Sequence, residues 1–195
     1  MLRRRESLIA TFRKEGGEYV LLPRKEDGRV NLRGVVKEVR SGDRVIMDLD
    51  GVVVPSCEEM LEGVWKERDR FFKDPVGVTK EMGRASLDVL KRVIQIGRIA
   101  ETFIWTSRLP MKRAPYFMGH ICCFPMIDGK ATEMLERVGL RVNVGKPAIK
   151  EGSLESFFRD GFEGRKVAIG SSIGDLRRAV DLPVDLYFDT GNLFF

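Results

Sequence analysis

Two aspartates one residue apart, Asp48 and Asp50, end a short apolar run and are followed at once by Gly51. An apolar run of this length between turn residues is typical of a buried strand in a parallel sheet. Ligands of open α/β sheets bind beyond the carboxyl ends of the strands, so both carboxylates are expected at the mouth of a crevice. Side chains two residues apart on an extended chain share a face and can serve one reacting bond. An ordinary Asp-Gly turn is the alternative interpretation.

Three further strand-like runs also end in polar residues that could face the same crevice. These residues are Thr106, Ser107 and Arg108 after the first run, Lys146 after the second, and Ser171 and Asp175 after the third. Each has a structural interpretation as well, because Thr-Ser pairs often cap helices and most lysines are solvated. Lys150 is a second candidate lysine, four residues further on.

The order and spacing of these four stretches resemble the motifs of the haloacid dehalogenase-like superfamily over about residues 44–190. The first stretch is similar to that family's Asp-x-Asp-Gly motif, and Thr106 stands where its second motif has Thr or Ser. Lys146 precedes Pro147, as the lysine of the third motif often precedes proline, and Pro147 holds it extended. Asp175 fits the fourth motif. Four motifs in order are more specific than any one of them.

The resemblance implies a phosphatase or phosphotransferase that works through an aspartyl phosphate. Asp48 would be the nucleophile that attacks phosphorus. Asp50 would protonate the leaving alcohol and then take a proton from the attacking water. Lys146 would neutralise charge around the phosphoryl group. The residues implied to bind substrate are Gly51, Thr106, Ser107 and Arg108.

The resemblance also implies a Mg²⁺ cofactor, held by Asp48, the backbone carbonyl of Asp50, and Asp175. Ser171 stands where the fourth motif usually has its first acid, so one metal ligand is replaced. Ser171 could reach the ion through a water, because Mg²⁺ keeps several waters and uses few carboxylates. The replacement keeps a second interpretation open, in which the domain has lost turnover and serves as a binding or regulatory module.

The elements that must position these residues are predicted from alternating strand-like and helical stretches. Strands are predicted near residues 44–49, 102–105, 121–124, 141–144, 166–170 and 186–188, and helices near 56–74, 79–100, 129–138, 153–160 and 173–180. This alternation predicts an α/β fold with a mainly parallel sheet covered on both faces. The resemblance implies a Rossmann-like, three-layer sandwich formed by a domain of residues 44–195, with a small or absent cap.

Residues 1–43 are predicted to be a β-rich extension that precedes this domain. Leu8, Ala10 and Phe12 alternate with their neighbours, as in a half-buried strand. Asp27-Gly28 is a hairpin signal between two later runs. A three-stranded meander is therefore expected, and it could close the site.

Composition predicts a soluble, cytoplasmic protein with one good core. The chain has 195 residues, 43% hydrophobic and 32% charged, and no apolar run approaches the ~20 residues that span a membrane. Three cysteines and one histidine favour neither a disulfide framework nor a zinc site. Glutamine occurs only at position 95, and scarce amides among many charged residues are typical of thermophiles.

The net charge of +5 favours an anionic partner. A small phosphorylated substrate is expected, and a nucleic-acid end-processing phosphatase is an alternative because basic residues are frequent in residues 1–43. A solvated charged surface explains the same residues without a partner. A poorly capped site could also be closed by a homo-oligomer.

Overall fold

The computed structural model describes residues 2–25, 30–82, 86–106, 109–111, 126–128, 137, 141–144, 161–182 and 184–191. Its strands are β1 (Glu18–Leu21), β2 (Arg44–Asp48), β3 (Glu101–Thr106), β4 (Leu109–Met111), β5 (Met126–Asp128), β6 (Arg141–Val144), β7 (Lys166–Gly170) and β8 (Leu186–Asp189). Its described helices are α1 (Leu2–Lys14), α2 (Arg33–Glu38), α3 (Cys57–Lys66), α4 (Arg68–Lys73), α5 (Pro75–Met82), α6 (Leu87–Ile99) and α7 (Ile173–Asp181).

Six strands form one sheet in the order β1-β8-β7-β2-β3-β6, and all neighbouring pairs are parallel. The strands β4 and β5 pair separately, also in parallel. The α/β fold with a mainly parallel sheet is thus confirmed, as are the strands predicted near residues 44–49, 102–105, 141–144, 166–170 and 186–188. The strand predicted at 121–124 and the helix predicted at 153–160 lie outside the described residues, as does most of the helix predicted at 129–138.

Both faces of the central strand β2 are buried, which explains its uninterrupted apolar sequence. Val45 and Met47 pack in one apolar cluster with residues of α2 and α6, such as Val35 and Ile96. Ile46 points to the opposite face, where it packs in a second cluster that contains residues of α1 and α7. Helices therefore cover both faces of the sheet, and Asp48, in step with Ile46, belongs to the second face.

The three-stranded meander predicted for residues 1–43 is wrong. Residues 2–14 form helix α1, and residues 33–38 form helix α2 where a third strand was expected. Only β1 is a strand, and it pairs in parallel with β8 of the main sheet. The predicted Asp27-Gly28 hairpin turn lies outside the described residues. The boundary between an extension and a 44–195 domain stays a prediction, although β1 shares the sheet with strands that all come from residues 44–195.

The two long helices predicted after β2 are each divided. Glu67 separates α3 from α4, and α5 begins at Pro75, a residue suited to the first helical position. The Asp74 carboxylate accepts a hydrogen bond from the Gly77 amide (2.9 Å) and so caps α5. Ser86 caps α6 in the same way through the Val89 amide. N-terminal capping by Asp74 and Ser86 therefore fixes where α5 and α6 begin, whereas Glu67 forms no side-chain cap at the division between α3 and α4.

The short helices α3, α4 and α5 pack on one another. They follow directly after the Asp50–Ser56 connection, so the position of this helical segment depends on how that connection is held. None of the described helices is long and apolar enough to cross a membrane.

Candidate active site

The order of the strands reverses between β2 and β7. From β2 the chain continues to β3 and β6 on one side, whereas β7 and β8 lie on the other side. Ligands of open α/β sheets bind beyond the carboxyl ends of the strands at such a reversal. Met47 of β2 is level with Ile169 of β7, so Asp48 and the residues after Gly170 lie at the same edge of the sheet.

Asp48 is buried at the carboxyl end of β2, with 5% of its surface exposed. It lines a cavity of about 20 Å³ together with Asp175, Arg178 and Tyr187, but most of the lining is apolar and comes from residues such as Ile46, Ala168 and Ala179. The volume is about that of one water molecule, yet a cavity with an apolar lining stays dry. The two aspartates predicted from distant parts of the sequence thus lie around one small space.

The turn after Asp48 is held against the segment that follows β7. The Ser171 hydroxyl donates a hydrogen bond to the Asp50 backbone carbonyl at 2.6 Å. Gly51 has a φ of 77°, and a Cβ at this position would lie 2.6 Å from Ser171 Oγ, so both the conformation and the contact require glycine. Gly51 is also a residue predicted to bind substrate, and its amide donates to the Val54 carbonyl (2.8 Å) within the turn.

Asp175, predicted as a metal ligand, caps helix α7. Its Oδ2 accepts hydrogen bonds from the Ser171 amide (3.2 Å), the Ser172 amide (3.1 Å) and the Ser172 hydroxyl (2.8 Å). The Ser172 hydroxyl accepts in turn from the Asp175 amide, which completes a capping box. Arg178 approaches Asp175 Oδ1 at 3.5 Å. The carboxylate therefore has a structural role in addition to any role in binding a ligand.

Of the remaining predicted site residues, one lies at the same edge of the sheet and three lie outside the described residues. Thr106 ends β3, and since Trp105 is level with Asp48, Thr106 lies one residue beyond that level. Ser107, Arg108 and Lys146 lie outside the described residues, as does the second candidate lysine, Lys150.

Sequence reasoning missed Thr190, and it considered Arg24 only as one of several basic residues in 1–43 that could bind an acidic substrate. Thr190 follows β8, and its hydroxyl lies 3.0 Å from the Gly51 carbonyl and 3.2 Å from the Gly170 carbonyl. Arg24 follows β1 and donates through Nε to the Thr190 carbonyl at 3.0 Å. The signal for Thr190 was the polar Asp-Thr-Gly sequence after a strand, and Arg24 likewise follows a strand without belonging to a motif.

A buried ion pair lies at the carboxyl end of β8. Arg5 of α1 pairs with Asp189, and both side chains are almost fully buried. Tyr19 of β1 donates its hydroxyl to the same carboxylate at 2.6 Å. Burial, and then the hydrogen bond to Asp189, raises the pKa of the Tyr19 hydroxyl well above its usual value. Two elements of residues 1–43 thus reach the edge of the sheet that carries the candidate site.

The described residues match Mg²⁺ in the type of their donor atoms. Asp48 and Asp175 provide carboxylates beside one cavity, and the Asp50 carbonyl lies next to Ser171. Mg²⁺ is usually bound by oxygen atoms from one or two carboxylates, and waters and substrate complete its shell. Within the described part of the chain, however, no group of three or more His, Cys, Asp or Glu residues is placed to hold a metal ion.

A comparison with models of known protein families found no match, and a comparison with curated proteins found none either. The function therefore has to be argued from the site itself.

Proposed function

We propose that this chain is a Mg²⁺-dependent phosphatase of the haloacid dehalogenase-like type, acting on a small phosphorylated substrate. One observation carries the proposal: Asp48 ends the central strand and Asp175 follows the neighbouring strand at the same edge of the sheet, where the strand order reverses. The resemblance required these stretches to meet, although 127 positions in the sequence numbering (175 − 48) separate the two aspartates. A Rossmann-like sandwich is the finer fold that this proposal includes.

Asp48 is the nucleophile in the proposed reaction. Its carboxylate attacks phosphorus, the ester P–O bond breaks, and the leaving alcohol takes a proton from Asp50. Water then attacks phosphorus in the aspartyl phosphate and gives its proton to Asp50. The P–O bond to Asp48 breaks, phosphate leaves, and both carboxyl groups return to their starting states.

Asp48, Asp175 and the Asp50 carbonyl would hold Mg²⁺ in this proposal. The ion supplies positive charge that offsets the repulsion between these carboxylates and a phosphate dianion. Burial of Asp48 contributes separately, because a site with little water strengthens each electrostatic contact with the reacting group.

The test is a panel of phosphate esters, including a generic aryl phosphate, assayed with Mg²⁺ and with EDTA. We expect the wild-type protein to hydrolyse at least one ester only with Mg²⁺. Asp48→Asn is expected to lower kcat more than about 10³-fold, because an amide cannot form the acyl phosphate. Asp181→Asn is the matched control, since Asp181 is an exposed residue at the far end of α7. Equal activity of the wild type and Asp48→Asn would refute the proposed mechanism.

A second candidate function is a binding or regulatory module without turnover. Two contacts favour it: Ser171 occupies the Asp50 carbonyl with a hydrogen bond, and Asp175 Oδ2 accepts three hydrogen bonds within its own helix cap. Calorimetric binding of inorganic phosphate, with no hydrolysis of any ester in the panel, would support this candidate over the enzyme.

A further inference from the structure

Arg24 connects three segments around the candidate site. Its Nε donates to the Thr190 carbonyl at 3.0 Å, just after β8. A terminal nitrogen lies 3.5 Å from the Gly51 carbonyl, and the other pairs with the Glu59 carboxylate of α3. Only 14% of the Arg24 side-chain surface is exposed, so these contacts are shielded from solvent.

Glu59 links Arg24 to the beginning of α3. One of its oxygens pairs with Arg24, and the other accepts a hydrogen bond from the Ser56 amide at 2.6 Å. The Ser56 hydroxyl accepts from the Glu59 amide at 3.2 Å, which completes the capping box of α3. The same carboxylate therefore caps the helix and ties its first turn to Arg24.

The connection from Gly51 to Ser56 is thus held at both ends by one guanidinium. At its start, the Gly51 carbonyl faces Arg24 and also accepts from the Thr190 hydroxyl at 3.0 Å. At its end, Glu59 fixes the beginning of α3. Asp50, the proposed general acid and base, immediately precedes this connection, so its position depends on the same contacts.

We infer that Arg24 is a positioning residue, which fixes the Asp50–Gly51 turn against β8 and couples it to the orientation of α3–α5. The inference rests on the proposed function for its kinetic consequence, but the coupling itself is a property of the fold. The planar guanidinium is suited to this role, because it directs several N–H groups in fixed directions at once. A lysine offers one point charge and cannot hold the same three segments.

Lys25 provides a matched control from the neighbouring position. It also forms an ion pair across the structure, with Asp88 of α6 at 2.6 Å, and both side chains are about one-third exposed. Lys25→Gln removes an ion pair of the same segment with a helix other than α3. A set of four variants therefore distinguishes the loss of the Arg24 contacts from a general loss of charge. These variants are Arg24→Gln, Arg24→Lys, Glu59→Gln and Lys25→Gln.

Two measurements are made on the chain of 195 residues. In hydrogen exchange followed by mass spectrometry, we expect at least 10-fold faster exchange at residues 51–66 in Arg24→Gln and Glu59→Gln, and wild-type exchange there in Lys25→Gln. In kinetics with the best ester of the panel, we expect Arg24→Gln to lower kcat about 10²-fold with little change in KM, because misplacing Asp50 weakens the transition state selectively. Arg24→Lys is expected to recover less than half of the lost exchange protection.

The outcomes of these measurements are distinguishable from those of the phosphatase test. If the wild type hydrolyses no ester, the proposed function fails, whereas faster exchange confined to Arg24→Gln and Glu59→Gln still supports the coupling. Equal exchange at residues 51–66 in Arg24→Gln and Lys25→Gln would overturn it. If Arg24→Gln does not fold, Glu59→Gln decides in its place, because its side chain is 34% exposed and the change is isosteric.

Discussion

Tyr187 places a buried hydroxyl near Asp175 of the candidate site. Its side chain is fully buried, and within the described residues its oxygen has no hydrogen-bond partner. Burial, and then the nearby charges of Asp175 and Asp189, raises the pKa of this hydroxyl well above its usual value. Gly170 leaves the space for it, since a Cβ there would lie 2.5 Å from the Tyr187 oxygen.

We predict that the protein loses stability in alkali because of this tyrosine. An unfolded chain releases the tyrosine proton near pH 10, whereas the folded state retains it to higher pH. The contribution of the neutral Tyr187 hydroxyl to the free energy of unfolding is therefore complete below about pH 10, and it is lost as the pH rises toward the folded-state pKa. Urea unfolding between pH 8 and pH 11 should show a falling free energy of unfolding for the wild type and a flatter profile for Tyr187→Phe.

At pH 8, Tyr187→Phe should also be as stable as the wild type or more stable by about 1 kcal/mol, because it removes a buried hydroxyl without a partner. Tyr19→Phe is the contrasting variant. It removes a hydroxyl that binds Asp189, so it should lower stability at pH 8. Parallel pH profiles for the wild type and Tyr187→Phe would show that the loss of stability in alkali does not come from Tyr187.

The aspartates of the site could be predicted because each lies close after an apolar strand. Asp48 and Asp175 lie close after a strand and also match a motif. Thr190 lies close after a strand but matches no motif, so it was not predicted. Arg24 also lies close after a strand, β1, but belongs to no motif, and its partners Gly51, Glu59 and Thr190 are brought to it by the fold alone. Residues that hold a site through contacts distant in sequence leave no local pattern.

At the scale of elements, α1 is attached to the sheet through the buried pair of Arg5 and Asp189. We predict that Arg5→Ala lowers the free energy of unfolding by about 3–5 kcal/mol, because it leaves the Asp189 carboxylate buried without its cation. Arg4→Ala is the matched control. Arg4 is exposed one position earlier in the same helix, so its replacement should change stability by less than about 0.5 kcal/mol.

Chemical denaturation at neutral pH measures both variants. Equal stability of Arg4→Ala and Arg5→Ala would show that Asp189 does not depend on Arg5.

Helix α1 also shows why the prediction for residues 1–43 was wrong. Alternation of Leu8, Ala10 and Phe12 suggested a strand, yet Ala10 is exposed while Leu8, Ile9 and Phe12 pack together against the second apolar cluster. Positions 8, 9 and 12 lie on one helical face. The strand period and the helix period both fit so short a segment, and packing against the sheet favours the helix.

At the scale of the whole molecule, the parallel α/β sheet could be predicted but the order of its strands could not. Six apolar runs that alternate with helices implied parallel pairing, because strands joined through helices run in the same direction. Nothing in the runs specified that β7 would lie beside β2, or that β1 would pair with β8 at the far edge. The position of β1 depends on side chains of three elements that meet only in the folded protein.

The predicted boundary at residue 43 can be tested by producing residues 44–195 alone. Without residues 1–43, β8 loses its neighbour β1, Asp189 loses Arg5 and Tyr19, and the Gly51 carbonyl loses Arg24. The buried carboxylate alone costs about 3–5 kcal/mol, against about 5–15 kcal/mol for the total stability of a typical domain. We therefore expect the shorter chain to lack the cooperative thermal transition that the full chain shows by near-ultraviolet circular dichroism. A transition midpoint within a few degrees of that of the 195-residue chain would mean that residues 44–195 fold independently, as the sequence predicted. In that case α1 and β1 would not be needed for the stability of the sheet.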